Sequence, residues 1–153
     1  AIKYRRIKEL NTKRNDFLEV LIFEKDEDII PTLGHSVGID YFINGIPYDQ
    51  KVARSPTKEF QKEFGTNWKE EAKKHPEKVA KYLYKYQDEG RFGADPRLFI
   101  VYLDEDISVA KIKERINEIN LTTPLEITFC YKHRTLKTPK LYKTTCFVVL
   151  LWQ

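Results

Sequence analysis

Three residues offer the most direct chemistry in this sequence: Asp40, Asp49 and Lys51. They flank Asn44-Gly45, the dipeptide preferred in two-residue type I′ hairpin turns because both positions need positive φ. With that turn Ile43 faces Ile46, Tyr41 faces Tyr48, Asp40 faces Asp49 and Ile39 faces Gln50. Lys51 is two residues beyond Asp49 and points to the same side. Directly opposed Cβ atoms are about 4.5–5.5 Å apart, and like charges so placed destabilise a sheet. A bridging cation relieves that repulsion. Two carboxylates open to solvent and to a phosphate are a donor set that Mg²⁺ accepts, with Mn²⁺ as its substitute. The lysine adds a fixed positive charge that can orient an attacking water or stabilise charge developing on phosphate. The plainer reading is a solvated face on which Lys51 neutralises its neighbours. Phe42, Pro47 and Ala53 share that face, so it is not plainly a water face.

The elements that position these residues follow from the apolar pattern. The opposite face of the hairpin carries Ile39, Tyr41, Ile43, Ile46, Tyr48 and Val52, a period of two that marks a core face. Before it, residues 4–24 contain no Gly or Pro and place Ile7, Leu10, Phe17, Leu18, Leu21 and Ile22 at helical spacing. The polar stretch 11–15 is a possible break in that helix, and Asp26 to Asp28, Pro31 and Gly34 read as a loop. After the hairpin, Thr57 caps a helix over 58–64. Pro76 opens another that runs to about 88, with Gly90 just past its end. Residues 98–103 read as a buried strand, Ser108 caps a helix to about 119, and 125–131 and 144–152 read as strands joined by a basic loop. The expected fold is α/β: a mixed central sheet with an Asn-Gly hairpin, flanked by helices, in one domain over 1–153.

Composition narrows the classes. The chain has 153 residues, 41% hydrophobic and 33% charged, which suits a globular domain and excludes wholesale disorder. The longest apolar run, near 147–152, falls far short of the roughly 20 residues of a membrane span. No apolar stretch follows Lys3, Arg5 and Arg6, so no secretory signal is visible. A net charge of +4 permits a polyanionic partner without demanding one. Cys130 and Cys146 lie in apolar, strand-like runs and read as buried thiols in a reducing, cytoplasmic setting, with a cross-strand disulfide as the alternative. His35, His75 and His133 are scattered, and no zinc set, phosphate loop or covalent-nucleophile motif is present.

Gly38-Ile39-Asp40 at a strand start, followed by Asp49-Gln50-Lys51 on the next strand, resembles the motif of the PD-(D/E)XK nuclease superfamily. The resemblance runs from about 17 to 60 as motif and to about 101 as order of elements. It implies a restriction-endonuclease-like sheet flanked by helices, and a preceding helix that supplies a further acid. Glu19 is the best match for that acid, with Asp16 and Glu24 as rivals. It also implies Mg²⁺-dependent hydrolysis of DNA, with Asp40, Asp49 and Glu19 as metal ligands and Lys51 positioning water. The sequence departs from the pattern in three places. Ile39 stands where proline is common, Asp49 where glutamate is commoner, and the Gln-x-x-x-Tyr of the exonuclease-like branch is missing. The resemblance therefore points to type II restriction enzymes and their relatives, for which a two-strand cut implies a homodimer. A non-catalytic nucleic-acid-binding or assembly domain on the same fold is the alternative function.

Basic residues supply candidate backbone contacts. Arg54, Lys58 and Lys62 follow the acids in sequence and read either as phosphate ligands or as a solvated helix face. The basic loop, with Lys132, Arg134, Lys137, Lys140 and Lys143 beside Tyr142, divides between nucleic-acid contact and a soluble hairpin loop. Tyr82, Tyr84 and Tyr86 sit two apart on a helix, which favours core and flank packing over a base-stacking row.

Overall fold

The Asn44-Gly45 turn forms as its composition demands, with φ of 52° and 79°. It joins strands that the computed structural model, which describes residues 17–22, 24, 25, 29–31, 40–88, 90 and 92–153, places in one six-stranded sheet. The strands are β1 (Ile29–Pro31), β2 (Tyr41–Ile43), β3 (Ile46–Ala53), β4 (Arg97–Tyr102), β5 (Leu125–Tyr131) and β6 (Lys140–Leu151). Their order across the sheet is β1-β2-β3-β4-β6-β5. β1, β2 and β3 form an antiparallel meander. β3, β4 and β6 run parallel, and β5 returns antiparallel along β6. The helices are α1 (17–22, with 24 and 25 also helical), α2 (Lys58–Phe64), α3 (Trp68–Lys74), α4 (Pro76–Lys85) and α5 (Val109–Glu118). Among the described residues, no helix is long and apolar enough to cross a membrane.

A sheet with helices on both faces needs apolar side chains on both. β4 supplies them, since all six of its residues are buried. Leu98, Ile100 and Tyr102 face a core closed by Leu18 and Ile22 of α1 and Ile112 and Ile116 of α5. Phe99 and Val101 face a second core closed by Phe60 of α2, Ala72 of α3 and Val79, Ala80 and Tyr84 of α4. The hairpin adds Tyr41, Ile43 and Tyr48 to the first core, with Val52 packed against it. Ala53 packs against the second. Asp49 and Lys51, in step with Ala53, therefore share the second core's face of β3.

The helix caps follow local chemistry. Thr57 Oγ1 accepts from Phe60 N–H at 3.1 Å, and Ser108 Oγ accepts from Lys111 N–H at 3.2 Å. Each satisfies a donor that the first helical turn leaves unpaired.

Several expectations change. Ile46 is 38% exposed, because the turn lifts it off the core. Pro31 lies in a strand and not in a loop, at the end of β1. α3 follows α2 through a 3₁₀ turn at Gly65–Asn67 and was not expected. α4 stops at Lys85, three residues short of the expected end. β6 begins at Lys140, so the last part of the supposed basic loop is strand. Cys130 is exposed and Cys146 buried. The two lie on opposite faces of the β5–β6 pair, which excludes a disulfide between them. The expected elements over residues 4–16, the break at 11–15, the Asp26–Asp28 part of the loop, and Asp16, His35, Gly38 and Ile39 lie outside the described residues.

Candidate functional site

Asp40 and Asp49 meet where β3 changes partners. Its pairing with β2 ends at Tyr41↔Tyr48, and its pairing with β4 begins at Asp49↔Arg97. Asp40 N–H donates to the Tyr48 carbonyl at 2.9 Å, which carries the antiparallel contact one residue past the ladder. The Asp40 carboxylate turns inward and accepts from Gln50 N–H at 2.8 Å. Across the strand, Asp49 N–H donates to the Pro96 carbonyl at 3.2 Å. The backbone is thus held on either side of the acids, and the Asp40 carboxylate is also tied to the main chain.

Lys51 Nζ lies 3.6 Å from Asp49 Oδ2, with Asp49 largely covered and Lys51 half-exposed. Burial raises the Asp49 carboxyl above its ordinary value, a hydrogen bond with the Asp40 carboxyl raises it further, and the Asp40 charge adds to this. The Lys51 and Arg97 charges pull it back and do not prevail. The ionised pair is therefore short of positive charge, as a donor set for a divalent cation would be.

Glu19 sits on α1, partly covered. Its charge acts on the buried Tyr41 hydroxyl, which burial first, then Glu19, then Asp40 push well above the ordinary range. Tyr41 donates that hydroxyl to Gln50 Oε1. Hydrogen bonds thus join Tyr41 to Gln50 and Gln50 to Asp40, while Glu19 acts on Tyr41 through its charge. Among the described residues, no three His, Cys, Asp or Glu side chains form a group that could hold a metal ion, so Glu19 does not complete a three-acid cage. A site of two carboxylates completed by water and substrate oxygens is the habit of Mg²⁺ rather than of Ca²⁺ or Zn²⁺. Glu24 is exposed.

Arg97 was not expected. It heads the otherwise apolar β4, lies in register with Asp49, and is only 9% exposed. Its guanidinium donates to Gln87 Oε1 at 3.2 Å and lies 5.4 Å from the centre of the Tyr84 ring. The space it occupies exists because residue 93 is glycine: a Cβ there would lie 2.7 Å from Arg97 Nη2. A lone arginine opening a run of six buried residues, just after Asp95-Pro96, was the available signal. A charge in such a place requires a partner.

The basic candidates separate. Arg54 lies past the far end of β3, about 16 Å from Asp49 at some 3.3 Å per residue. There it lines a cleft of about 540 Å³ with Lys69 and Asp104. Lys69 Nζ grips Asp104 at 2.6 Å, and that bond, with Gln153 N–H second, holds the Asp104 carboxyl below its usual range. Lys58 and Lys62 follow on exposed positions of α2. Lys137 and Lys140 are exposed at the β5–β6 end, on the sheet edge where the acids lie. Tyr84 is buried in the second core, in line with the packing expectation.

The raised Asp49 carboxyl has a stability consequence. A carboxyl raised on folding favours the folded state while it is protonated, and that contribution is lost as pH climbs through its folded value. Asp49→Asn is therefore expected to raise the melting temperature at pH 7. The gain should vanish once the pH falls below the ordinary Asp value. Thermal scans from pH 3 to pH 8 read this directly, and a variant less stable than wild type at pH 7 would contradict it.

Comparison with protein-family models, with curated proteins and with solved structures returned no match to this chain.

Proposed function

We propose that this protein hydrolyses phosphodiester bonds in DNA with the help of Mg²⁺, as an endonuclease of the PD-(D/E)XK, restriction-endonuclease-like type. One observation carries the reading: at a strand junction the Asp40 carboxylate is held by the Gln50 N–H, the Asp49 carboxyl beside it is raised by burial and by Asp40, and an amine lies 3.6 Å from Asp49. The order of elements supports it. A helix precedes the β2–β3 hairpin, and helices and a parallel strand follow it, an order compatible with the resemblance, to which β1 adds a strand that was not expected.

Asp40 and Asp49 would hold the ion, and Glu19 would act on it through Tyr41 and Gln50 or through water. When bound, the ion would supply Lewis-acid stabilisation of charge on the phosphate oxygens. The half-exposed Lys51 is free to swing from Asp49 toward solvent, where its ammonium can orient a water and neutralise charge as the bond breaks. Asp40 cannot turn away without leaving Gln50 N–H unpaired, so its second oxygen keeps its direction. Exposed Lys137 and Lys140 would hold the DNA backbone, and a cut in both strands would call for a homodimer. The free thiols of Cys130 and Cys146 suit a reducing, cytoplasmic setting.

The test is incubation of the chain with supercoiled plasmid, with linear DNA and with RNA, in Mg²⁺, in Mn²⁺ and in EDTA. Nicked or linear product from DNA in Mg²⁺ or Mn²⁺, absent in EDTA, is the expected result. Intact DNA under every condition would leave the chain as a binding domain on this fold.

A further inference from the structure

The parallel part of the sheet has a second end. The acid pair lies at the amino ends of β3, β4 and β6, by the row Asp49, Arg97, Cys146. At their carboxyl ends the chain leaves neighbouring strands in opposite directions. From β3 it passes through residues 54–57 into α2, whose Phe60 packs in the second core. From β4 it passes through residues 103–108 into α5, whose Ile112 and Ile116 pack in the first. β3 and β4 are adjacent and parallel, so their exit loops part to opposite faces of the sheet. Such a reversal opens a crevice outside the carboxyl ends of the two strands, which is where open α/β sheets bind ligands.

The cleft of about 540 Å³ stands at this point. Arg54 and Ser55 of the first loop line it, with residues 103–106 of the second and Trp68 and Lys69 of α3. Its volume falls within the range of small-molecule pockets, about 300–1,000 Å³. Part of the lining is already engaged. Asp104 takes Lys69 Nζ at 2.6 Å on one oxygen and Gln153 N–H at 3.0 Å on the other, so this acid and this amine serve the fold.

The remaining polar groups carry opposite signs on opposite loops. The β3 exit offers the Arg54 guanidinium and the Ser55 hydroxyl, both on exposed residues. The β4 exit offers the exposed carboxylates of Glu105 and Asp106, which take part in no ion pair or hydrogen bond among the described residues. The partly covered Trp68 ring adds an apolar surface. Adjacent strands lie about 4.8 Å apart and these loops diverge, so the two signs stand on separate supports. A simple cation would meet Arg54 in this cleft, and a simple anion would meet two carboxylates. Among the described residues, no three His, Cys, Asp or Glu side chains are grouped to hold a metal ion. A ligand charged at both ends suits both loops.

We propose that this cleft binds a small zwitterion of the amino-acid type, a free amino acid or a dipeptide. Arg54 and Ser55 hold its carboxylate, Glu105 and Asp106 hold its ammonium, and Trp68 receives its side chain. Each end of such a ligand is strongly hydrated when free, so its capture calls for a charged partner at both ends. The inference does not rest on the nuclease reading. Arg54 lies about 16 Å along the strand from Asp49, and the two sites open at opposite ends of the parallel strands.

The test is calorimetric titration of the full chain with each of the common amino acids and with the dipeptides Gly-Leu, Leu-Gly and Gly-Phe. At least one is expected to bind with a Kd of about 1 mM or tighter, and the tightest of them tells which of the two sources the cleft takes. The amide of that ligand, which lacks the carboxylate, and its N-acetyl derivative, which lacks the ammonium, should each bind about tenfold more weakly or worse. Arg54→Gln should weaken the free ligand by about tenfold and leave the amide unaffected. The pair Glu105→Gln, Asp106→Asn should weaken the free ligand by about the same factor and leave the N-acetyl derivative unaffected. All three residues are exposed, so both variants should melt as wild type does. No binding of any amino acid or dipeptide at about 10 mM would overturn the proposal. Derivatives that bind as well as the parent, variants that bind as wild type, or a loss confined to one end of the ligand would overturn it equally.

Discussion

Lys51→Ala is expected to lower metal-dependent DNA cleavage by about 10³-fold or more while leaving the fold intact. The lysine stands half in solvent, and its 3.6 Å ion pair with Asp49 contributes about 0.2–1 kcal/mol at most to stability. On the proposed nuclease reading its value would lie in the transition state, where a charge fixed beside the reacting phosphate is not replaced by bulk water. Asp40 requires a choice of substitution. Alanine would orphan Gln50 N–H, a loss of about 1–3 kcal/mol that confuses chemistry with folding. Asparagine retains an oxygen for that N–H and removes the charge, so Asp40→Asn should fold as wild type and cleave about 10³-fold more slowly or worse. Steady-state cleavage with a melting curve for each variant reads both quantities. Full activity in Lys51→Ala and Asp40→Asn would remove the assignment.

Tyr84→Ala should give the largest loss of stability. The side chain is fully buried, stacks on Phe129 with centroids 5.2 Å apart, and meets Phe99 edge-on at 5.1 Å. Its hydroxyl donates to the Asp95 carbonyl at 2.9 Å, and burial pushes that hydroxyl well above its usual range. Truncation of a buried aromatic costs about 3–5 kcal/mol, or roughly 6–20 °C in melting temperature for a domain of this size. Tyr84→Phe keeps the ring and loses one hydrogen bond, about 1 kcal/mol. The site should respond as well. Tyr84 supports the Asp95-Pro96 turn, whose carbonyl receives Asp49 N–H, and it underlies Arg97. Urea denaturation of the two variants decides the matter, and a loss below about 1 kcal/mol in Tyr84→Ala would contradict this account of the second core.

The hairpin was legible because its determinants are local. Asn44 and Gly45 must both take positive φ, and once they do, the pairing of Tyr41 with Tyr48 follows by counting. α2 and β5 were legible to the residue, one from Thr57 as a cap and the other from its alternation. α3 was not, since Ala72 is its only buried residue and leaves no apolar stripe to read. β1 was hidden by Pro31 and the acids before it, which spell a turn in isolation. The early start of β6 was hidden for a different reason. Lys143 lies on the open face of the two-stranded β5–β6 ribbon and Lys140 is exposed at its end beside Tyr142, where charge is no obstacle to a strand. The same open face exposes Cys130, which an apolar run alone suggested was buried. Arg97 could not be tied to Asp49 from sequence. The two are neighbours only through a parallel crossover that spans α2, α3 and α4.

The reading of Asp40 and Asp49 as ion ligands is best decided by crystals soaked in Mn²⁺ and measured at the manganese absorption edge. The account predicts one anomalous peak roughly 2.0–2.2 Å from a carboxylate oxygen of each aspartate, the range of hard divalent cations with oxygen ligands, and its absence in Asp49→Asn. Wild-type crystals in millimolar Mn²⁺ with no peak between these two side chains would contradict it.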